Sequence, residues 1–186
     1  VVGVFLLLAL TDNARADWHE TTSDHFVILS DQKPETVRAF AEKLELFHAA
    51  LAHVFKQPNV KPSPSNRVTI YVVASEAMVR KFAKADNRFL AGIYLPRAGA
   101  AIAVVPKLEG GSAGLALNPQ TILFHEYAHH FMYGLMIRAY PRWYTEGFAE
   151  FFASVRFHPD SIDLGMPATH RALELTYSKS VPIREL

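Results

Sequence analysis

A pair of histidines with an adjacent glutamate carries the clearest chemical signal in this chain. His125, Glu126 and His129 form the pattern H-E-x-x-H. On a helix, residues four apart lie one turn above each other on the same face, so both imidazoles can reach one metal ion. Glu126 borders that face and can contact a water molecule on the ion. The pattern therefore predicts a metal site with Glu126 as the general base.

The helix that carries this motif is predicted to be buried. Its sequence, ILFHEYAHHFMYGLMI, is apolar on nearly every side, and such a helix lies inside a protein. Buried imidazoles and carboxylates need partners, because an unpaired buried charge is very costly. A metal ion satisfies all three groups together, whereas the alternative is a set of buried polar pairs. His130 points in a different direction from the pair and is not predicted to be a ligand.

A second predicted helix supplies the missing ligand. A catalytic zinc site has three protein ligands and one open position, and Glu146 is the natural third ligand. Sixteen residues lie between His129 and Glu146, enough to end one helix and bring the next alongside. Glu150, one turn later, is predicted to accept a hydrogen bond from a ligand imidazole, with an exposed helix residue as the alternative. Gly147 is predicted to let the two helices approach closely.

The segments FHEYAHHFMYG and PRWYTEGFAEFF together resemble the gluzincin metallopeptidases. They are most similar to the bacterial peptidase MA-like group, whose pattern is H-E-x-x-H followed by W-x-x-E-G-x-A-E. The resemblance is specific over residues 123–152. It implies a zincin-like fold and assigns roles as follows: zinc ligands His125, His129 and Glu146, general base Glu126, and imidazole partner Glu150.

The resemblance also implies two further parts of the site. One is a β-strand along the substrate cleft, expected within residues 100–105. The other is a residue that steadies the oxyanion, for which Tyr177 and His170 are the candidates.

The charges of such a site predict hydrolysis of peptide bonds in a peptide or protein substrate. A zinc ion with two neutral imidazoles and one carboxylate keeps a net positive charge, which lowers the pKa of a bound water to about 7. Glu126 would take the proton of that water and pass it to the leaving amine. One alternative is a catalytically silent peptidase-like domain that binds a protein or cell-wall partner, although an intact Glu126 argues against it. Another is a zinc amidohydrolase that acts on cell-wall amides.

The elements around the site predict an α+β fold, with a small mixed sheet and short helices followed by a helical part. Predicted strands cover residues 25–30, 67–74, 92–95 and 100–105, the last two as a hairpin, and predicted helices cover 35–55, 76–85, 118–138 and 143–156. Residues 17–115 form the predicted N-terminal α/β part of the catalytic domain. Residues 116–186 form the helical metal-binding part, which looks truncated at its C-terminus.

Composition and the first residues bear on the compartment and the partners. The chain has 186 residues and no cysteine, so it has no disulfides. Its formal net charge is +1, and this charge gives no sign of nucleic-acid binding. Residues 1–10 are apolar and precede Ala14-Arg15-Ala16, a pattern typical of a signal peptide that is incomplete at its start. Ten residues are too few for a membrane helix, which needs about 20. We therefore predict export to the periplasm or outside the cell, with a buried strand or a retained anchor as the alternative.

Overall fold

The computed structural model describes residues 17–87, 90–97, 101–107, 118–135 and 139–168. Within these ranges the chain forms four α-helices, a five-stranded mixed sheet and a two-stranded ribbon, which confirms the predicted α+β class. The elements are β1 (His19–Thr22), β2 (Phe26–Ser30), α1 (Pro34–Val54), β3 (Val68–Val73), α2 (Glu76–Ala83), β4 (Ile93–Leu95), β5 (Ile102–Pro106), α3 (Pro119–Leu135), α4 (Arg142–Ala153), β6 (Arg156–Phe157) and β7 (Ile162–Asp163). None of the helices in these ranges is long and apolar enough to cross a membrane.

The sheet has the strand order β1-β2-β3-β5-β4. The three central strands, β2, β3 and β5, are parallel, and each edge strand pairs antiparallel to its neighbour. Ile93 of β4 pairs with Val104 of β5, so the predicted hairpin is present. The edge strand β1 was not predicted, because its sequence, HETT, is polar and gives no apolar alternation.

Helices cover both faces of the sheet. Ile70 and Val72 of β3 are fully buried in the main core, which they share with α1, α3 and α4. On the opposite face, Val73 and Val104 pack with Val79 of α2 in a second, smaller core. The central strands are therefore buried on both faces, as their nearly continuous apolar sequences indicate.

Helix α1 ties the sheet to the helical half of the chain. Its buried residues recur every three or four positions along one face, as the sequence predicts. Phe47 of α1 stacks on Phe124 of α3 with ring centroids 4.6 Å apart, and both side chains are fully buried. Burial of a phenylalanine side chain is worth about 1.5–3 kcal/mol, so this contact helps to fix the helix that carries the histidine pair.

The boundaries of α3 and α4 follow the local sequence closely. The side chain of Asn118 accepts a hydrogen bond from the backbone N–H of Gln120 at 2.9 Å, and Pro119 is the first residue of α3. Residues 136–138, predicted to end this helix, lie outside the described ranges. Helix α4 stops at Ala153, not at the predicted Arg156, because the chain turns there into the ribbon of β6 and β7.

Candidate metal centre

The two helices that carry the predicted ligands pack against each other in the main core. Ala128 of α3 and Ala149 of α4 are fully buried, so small side chains occupy enclosed positions on both helices. The prediction for Gly147 is wrong, because a Cβ atom added there would meet no atom within 4 Å. Close packing of α3 and α4 therefore does not depend on that glycine.

His125, His129 and Glu146 converge, as the motif predicts. The Nε2 atoms of His125 and His129 lie 3.2 Å apart. An Oε2 atom of Glu146 lies 3.3 Å from the first of these nitrogens and 3.6 Å from the second. One ligand atom from each residue lies within 4.8 Å of the other two, so the group could bind a metal ion.

The spacing of these three atoms fits a small cation. A single ion can lie about 2.1 Å from all three atoms, the two Nε2 atoms and Oε2 of Glu146. This distance is the usual length of zinc–nitrogen and zinc–oxygen bonds, about 2.1 Å. Two neutral imidazoles do not hold their nitrogen lone pairs 3.2 Å apart without a proton or a cation between them. Two imidazoles and one carboxylate also form a donor set that leaves a position open for water.

Glu150 supports the first histidine from behind. Its Oε2 atom lies 3.4 Å from Nδ1 of His125, the ring nitrogen that faces away from His129. A carboxylate in this position accepts a hydrogen bond from Nδ1–H, so the proton stays on Nδ1 and Nε2 is free to bind a metal. The predicted contact between Glu150 and a ligand imidazole is therefore present. By contrast, Nδ1 of His129 is buried and has no hydrogen-bond partner among the described residues.

The two imidazoles differ in proton affinity when no metal is bound. Burial lowers the pKa of His125, but the hydrogen bond to Glu150 and the charges of Glu126, Glu150 and Glu146 outweigh it, so the net shift is upward. Burial lowers the pKa of His129, and the charge of His125 lowers it further. The pKa of His125 is therefore shifted upward and that of His129 downward.

Glu126 lines the same cleft as the three converging residues. Burial raises the pKa of its carboxyl to about 7; the positive charge of His125 opposes this shift and the negative charge of Glu146 adds to it. A carboxyl with a pKa near neutrality can both take and return a proton, which is the behaviour required of a general base that later acts as an acid.

The cleft over this group has a volume of about 380 Å³. Its other wall consists of β4 and the residues before it, among them Leu90, Gly92 and Tyr94. The expected cleft strand was placed within residues 100–105, and this is wrong. Strand β5 lies inside the sheet between β3 and β4, so β4 is the edge strand that faces the cleft.

Sequence reasoning missed several residues of the cleft. Gly92 lies against Ile122 and Glu126, and a glycine next to a predicted strand is a known sign of close backbone approach. The hydroxyl of Tyr94 bonds with Nδ1 of His130 at 2.7 Å. Arg142, 90% exposed at its side chain, lines the mouth of the cleft with Nε 3.7 Å from Oε1 of Glu146.

Other predicted residues lie elsewhere. The two candidates for the oxyanion role, Tyr177 and His170, and the predicted signal peptide lie outside the described residues. Trp143 is half exposed and lines an aromatic groove beside Phe151, away from the metal group. Phe151 is 53% exposed.

A second group of polar side chains lies behind α3. The ring of His48 packs on that of His25 with centroids 3.7 Å apart, and Nδ1 of His48 is 2.6 Å from the hydroxyl of Tyr127. Nδ1 of His25 lies 2.7 Å from Oε2 of Glu45. Neither histidine has a spacing that signals a role in the sequence, because their partners come from distant parts of the chain. The group anchors the motif helix to α1 through Tyr127.

Comparison with known proteins adds no family assignment. No family model matches this chain, and no curated protein matches its sequence. The resemblance to gluzincins therefore rests on the sequence of residues 123–152.

Proposed function

We propose that this chain is a zinc-dependent metallopeptidase of the gluzincin type, with a zincin-like fold. The proposal is carried by one observation: His125, His129 and Glu146 converge to within bonding distance of a common point, and Glu126 lies beside them in an open cleft. The residues come from two helices, α3 and α4, and each contributes one ligand atom to the group.

Zinc is the metal that suits this donor set best. The ligands are two imidazole nitrogens and one carboxylate oxygen, without sulfur, and this combination with one open position is typical of catalytic zinc. Calcium and magnesium prefer sites made entirely of oxygen ligands. When bound, the ion lowers the pKa of a water molecule and polarises the carbonyl group of the substrate.

The protein side chains supply the proton transfers. Glu126 accepts a proton from the attacking water on its carboxylate, and then donates that proton to the amine that leaves when the C–N bond breaks. Glu150 keeps the Nδ1 proton of His125 in place, so that Nε2 of this ring remains an electron-pair donor.

Metal analysis combined with a peptide digest tests the proposal. The unmutated chain, Glu126→Gln and His129→Ala are purified, and zinc content is measured by mass spectrometry before each is incubated with a peptide library. We expect one zinc per chain in the first two proteins and none in His129→Ala. Cleavage should occur in the unmutated chain and fall by roughly 10²–10⁴-fold in Glu126→Gln, the range typical of a lost general base.

Two other outcomes would redirect the assignment. Zinc without peptide cleavage, together with release of cell-wall amides, would indicate a zinc amidohydrolase. Zinc with neither activity would favour a silent binding domain. Absence of metal from the unmutated chain would contradict the proposal altogether. Export remains a prediction from residues 1–16 and is tested separately by sequencing the N-terminus of the secreted chain.

A further inference from the structure

The backbone at Gly92 lies directly against the side chain of the proposed general base. A Cβ atom added to Gly92 would lie 3.2 Å from Oε1 of Glu126 and 3.3 Å from its Cγ. The same atom would lie 2.4 Å from Cγ2 of Ile122, a separation that real Cβ atoms essentially never show. Any side chain at this position therefore collides with Ile122 and crowds Glu126, which lie one helical turn apart on α3.

Glycine is required at position 92 because neighbouring side chains occupy the place of a Cβ atom, and not because of the backbone angles. Among the described glycines only Gly165 has a positive φ, at 71°, so the backbone at residue 92 adopts a conformation open to other amino acids. Gly134 and Gly147 give a useful contrast, because a Cβ at either would meet nothing within 4 Å. Among these glycines with ordinary backbone angles, Gly92 alone has its Cβ position filled by neighbouring atoms.

We propose that Gly92 is a positioning residue, whose missing side chain lets the backbone just before β4 come close to Glu126 and hold its carboxylate in place in the cleft. This inference rests on the proposed function, since it concerns the base of that reaction. A glutamate side chain has three rotatable bonds, and a base works only within about 2.6–3.2 Å of the proton that it takes. The backbone at Gly92 is so close that a Cβ there would lie 3.2 Å from Oε1 and 3.3 Å from Cγ of Glu126, which leaves little room for those rotations on one side.

The consequence of filling that space follows from the distances. In Gly92→Ala, the contact with Ile122 forces β4 and α3 apart or pushes both side chains away. Reacting groups must be held within about 0.5 Å of their productive positions, and a misplacement of about 1 Å can lower the rate about 100-fold. The three atoms nearest to the added Cβ belong to Ile122 and Glu126 and not to His125, His129 or Glu146, so metal binding should persist.

Four variants separate the contact with Glu126 from the contact with Ile122. They are Gly92→Ala, Ile122→Ala, the double variant of these two, and Gly134→Ala as a control at a glycine with free space. Zinc content, kcat and KM on one peptide substrate are measured for each, and the crystal structures of the unmutated chain, Gly92→Ala and the double variant are determined. The double variant lacks the 2.4 Å contact with Ile122. It therefore measures the effect of the added Cβ on Glu126 even if Gly92→Ala folds poorly.

We expect Gly92→Ala to lose about 100-fold in kcat, with KM changed less than about threefold and one zinc per chain. The double variant should stay about tenfold below Ile122→Ala in kcat, because its Cβ still meets Glu126. Gly134→Ala should match the unmutated chain. Equal kcat values for the double variant and Ile122→Ala would overturn the inference.

The crystal structures decide the inference independently of catalysis. A Glu126 carboxylate displaced by more than about 0.5 Å in Gly92→Ala or the double variant supports it, and an unmoved carboxylate in both overturns it. A chain that binds zinc without cleaving peptides would therefore defeat the proposed function, while the position of Glu126 would still decide the role of Gly92.

Discussion

Nδ1 of His125 lies 3.4 Å from Oε2 of Glu150, a residue one helical turn beyond the proposed ligand Glu146. The Glu150 side chain is mostly buried. Burial of a charged carboxylate is unfavourable unless a partner compensates for the lost water, and the imidazole of His125 is such a partner. This contact fixes the ring orientation and the tautomer of His125. It also places two glutamates of α4, which would repel each other on an isolated helix, around one histidine of α3.

Loss of the Glu150 carboxylate should weaken metal binding without removing a ligand. We expect Glu150→Gln to bind zinc about 10–100-fold more weakly, as is typical when the partner of a ligand imidazole is replaced. Zinc affinity is measured by competition with a chelating dye. Glu42→Gln, at an exposed glutamate of α1, is the matched control and should bind zinc like the unmutated chain. An unchanged affinity in Glu150→Gln would show that the contact does not orient His125.

Metal binding should stabilise the folded chain. A ligand that binds only the folded state at 100 times its dissociation constant adds about 2.7 kcal/mol. For a chain of this size that corresponds to a rise in Tm of roughly 5–10 °C. We expect this rise on adding zinc to the metal-free protein, and its reversal by EDTA, in differential scanning calorimetry. His129→Ala serves as the control, and a similar rise in that variant would place the zinc elsewhere.

Acid should destabilise the fold through His48. Burial lowers the pKa of this imidazole to about 4, and the charge of His25 lowers it further, while Glu45 opposes the shift. The unfolded chain takes up a proton near pH 6.5, whereas folded His48 stays neutral until about pH 4. The contribution of His48 to the free energy of unfolding is therefore fully present above about pH 6.5, and it is lost progressively as the pH falls towards 4. Tyr127 and His130 also face this part of the core, and burial lowers the pKa of His130 to about 4 as well.

Urea unfolding at several pH values between 7 and 4.5 measures this effect. The free energy of unfolding of the unmutated chain should decrease more steeply with acid than that of His48→Gln, which has no titrating group at this position. The variant retains His130, so part of the acid sensitivity should persist. Parallel curves for the two proteins would contradict a neutral, buried His48.

The stacked pair of Phe47 and Phe124 should carry much of the stability of the helical half. Phe47→Ala removes a fully buried ring and should cost about 3–5 kcal/mol, as is usual for this substitution in a core. The free energy of unfolding is measured in urea, and zinc stoichiometry is measured on the folded fraction. Phe82→Ala, at a half-exposed ring of α2, is the comparison and should cost much less. Equal losses would mean that the contact between α1 and α3 is not a main source of stability.

The sequence predicted most of the elements, though not β1, β6 or β7, and it predicted that His125, His129 and Glu146 converge. H-E-x-x-H is a local pattern, so helical geometry alone places His125 and His129 on one face. The Glu146-Gly147 segment on the next helix is also local, and the short connection between the two helices brings it near. Apolar spacing predicted α1, β3 and the hairpin for the same reason, since each pattern reflects the period of its own element.

Long-range packing determines which strand faces the cleft and what lies behind the motif helix. Strand order is a relation between distant segments, so nothing in the sequence of β4 and β5 shows which of them is the edge. The closeness of Gly92 to Glu126, and of His48 to Tyr127, likewise arises when separate segments pack together. Side chains without a local spacing acquire their partners only through the fold, because long-range packing leaves no period in the chain.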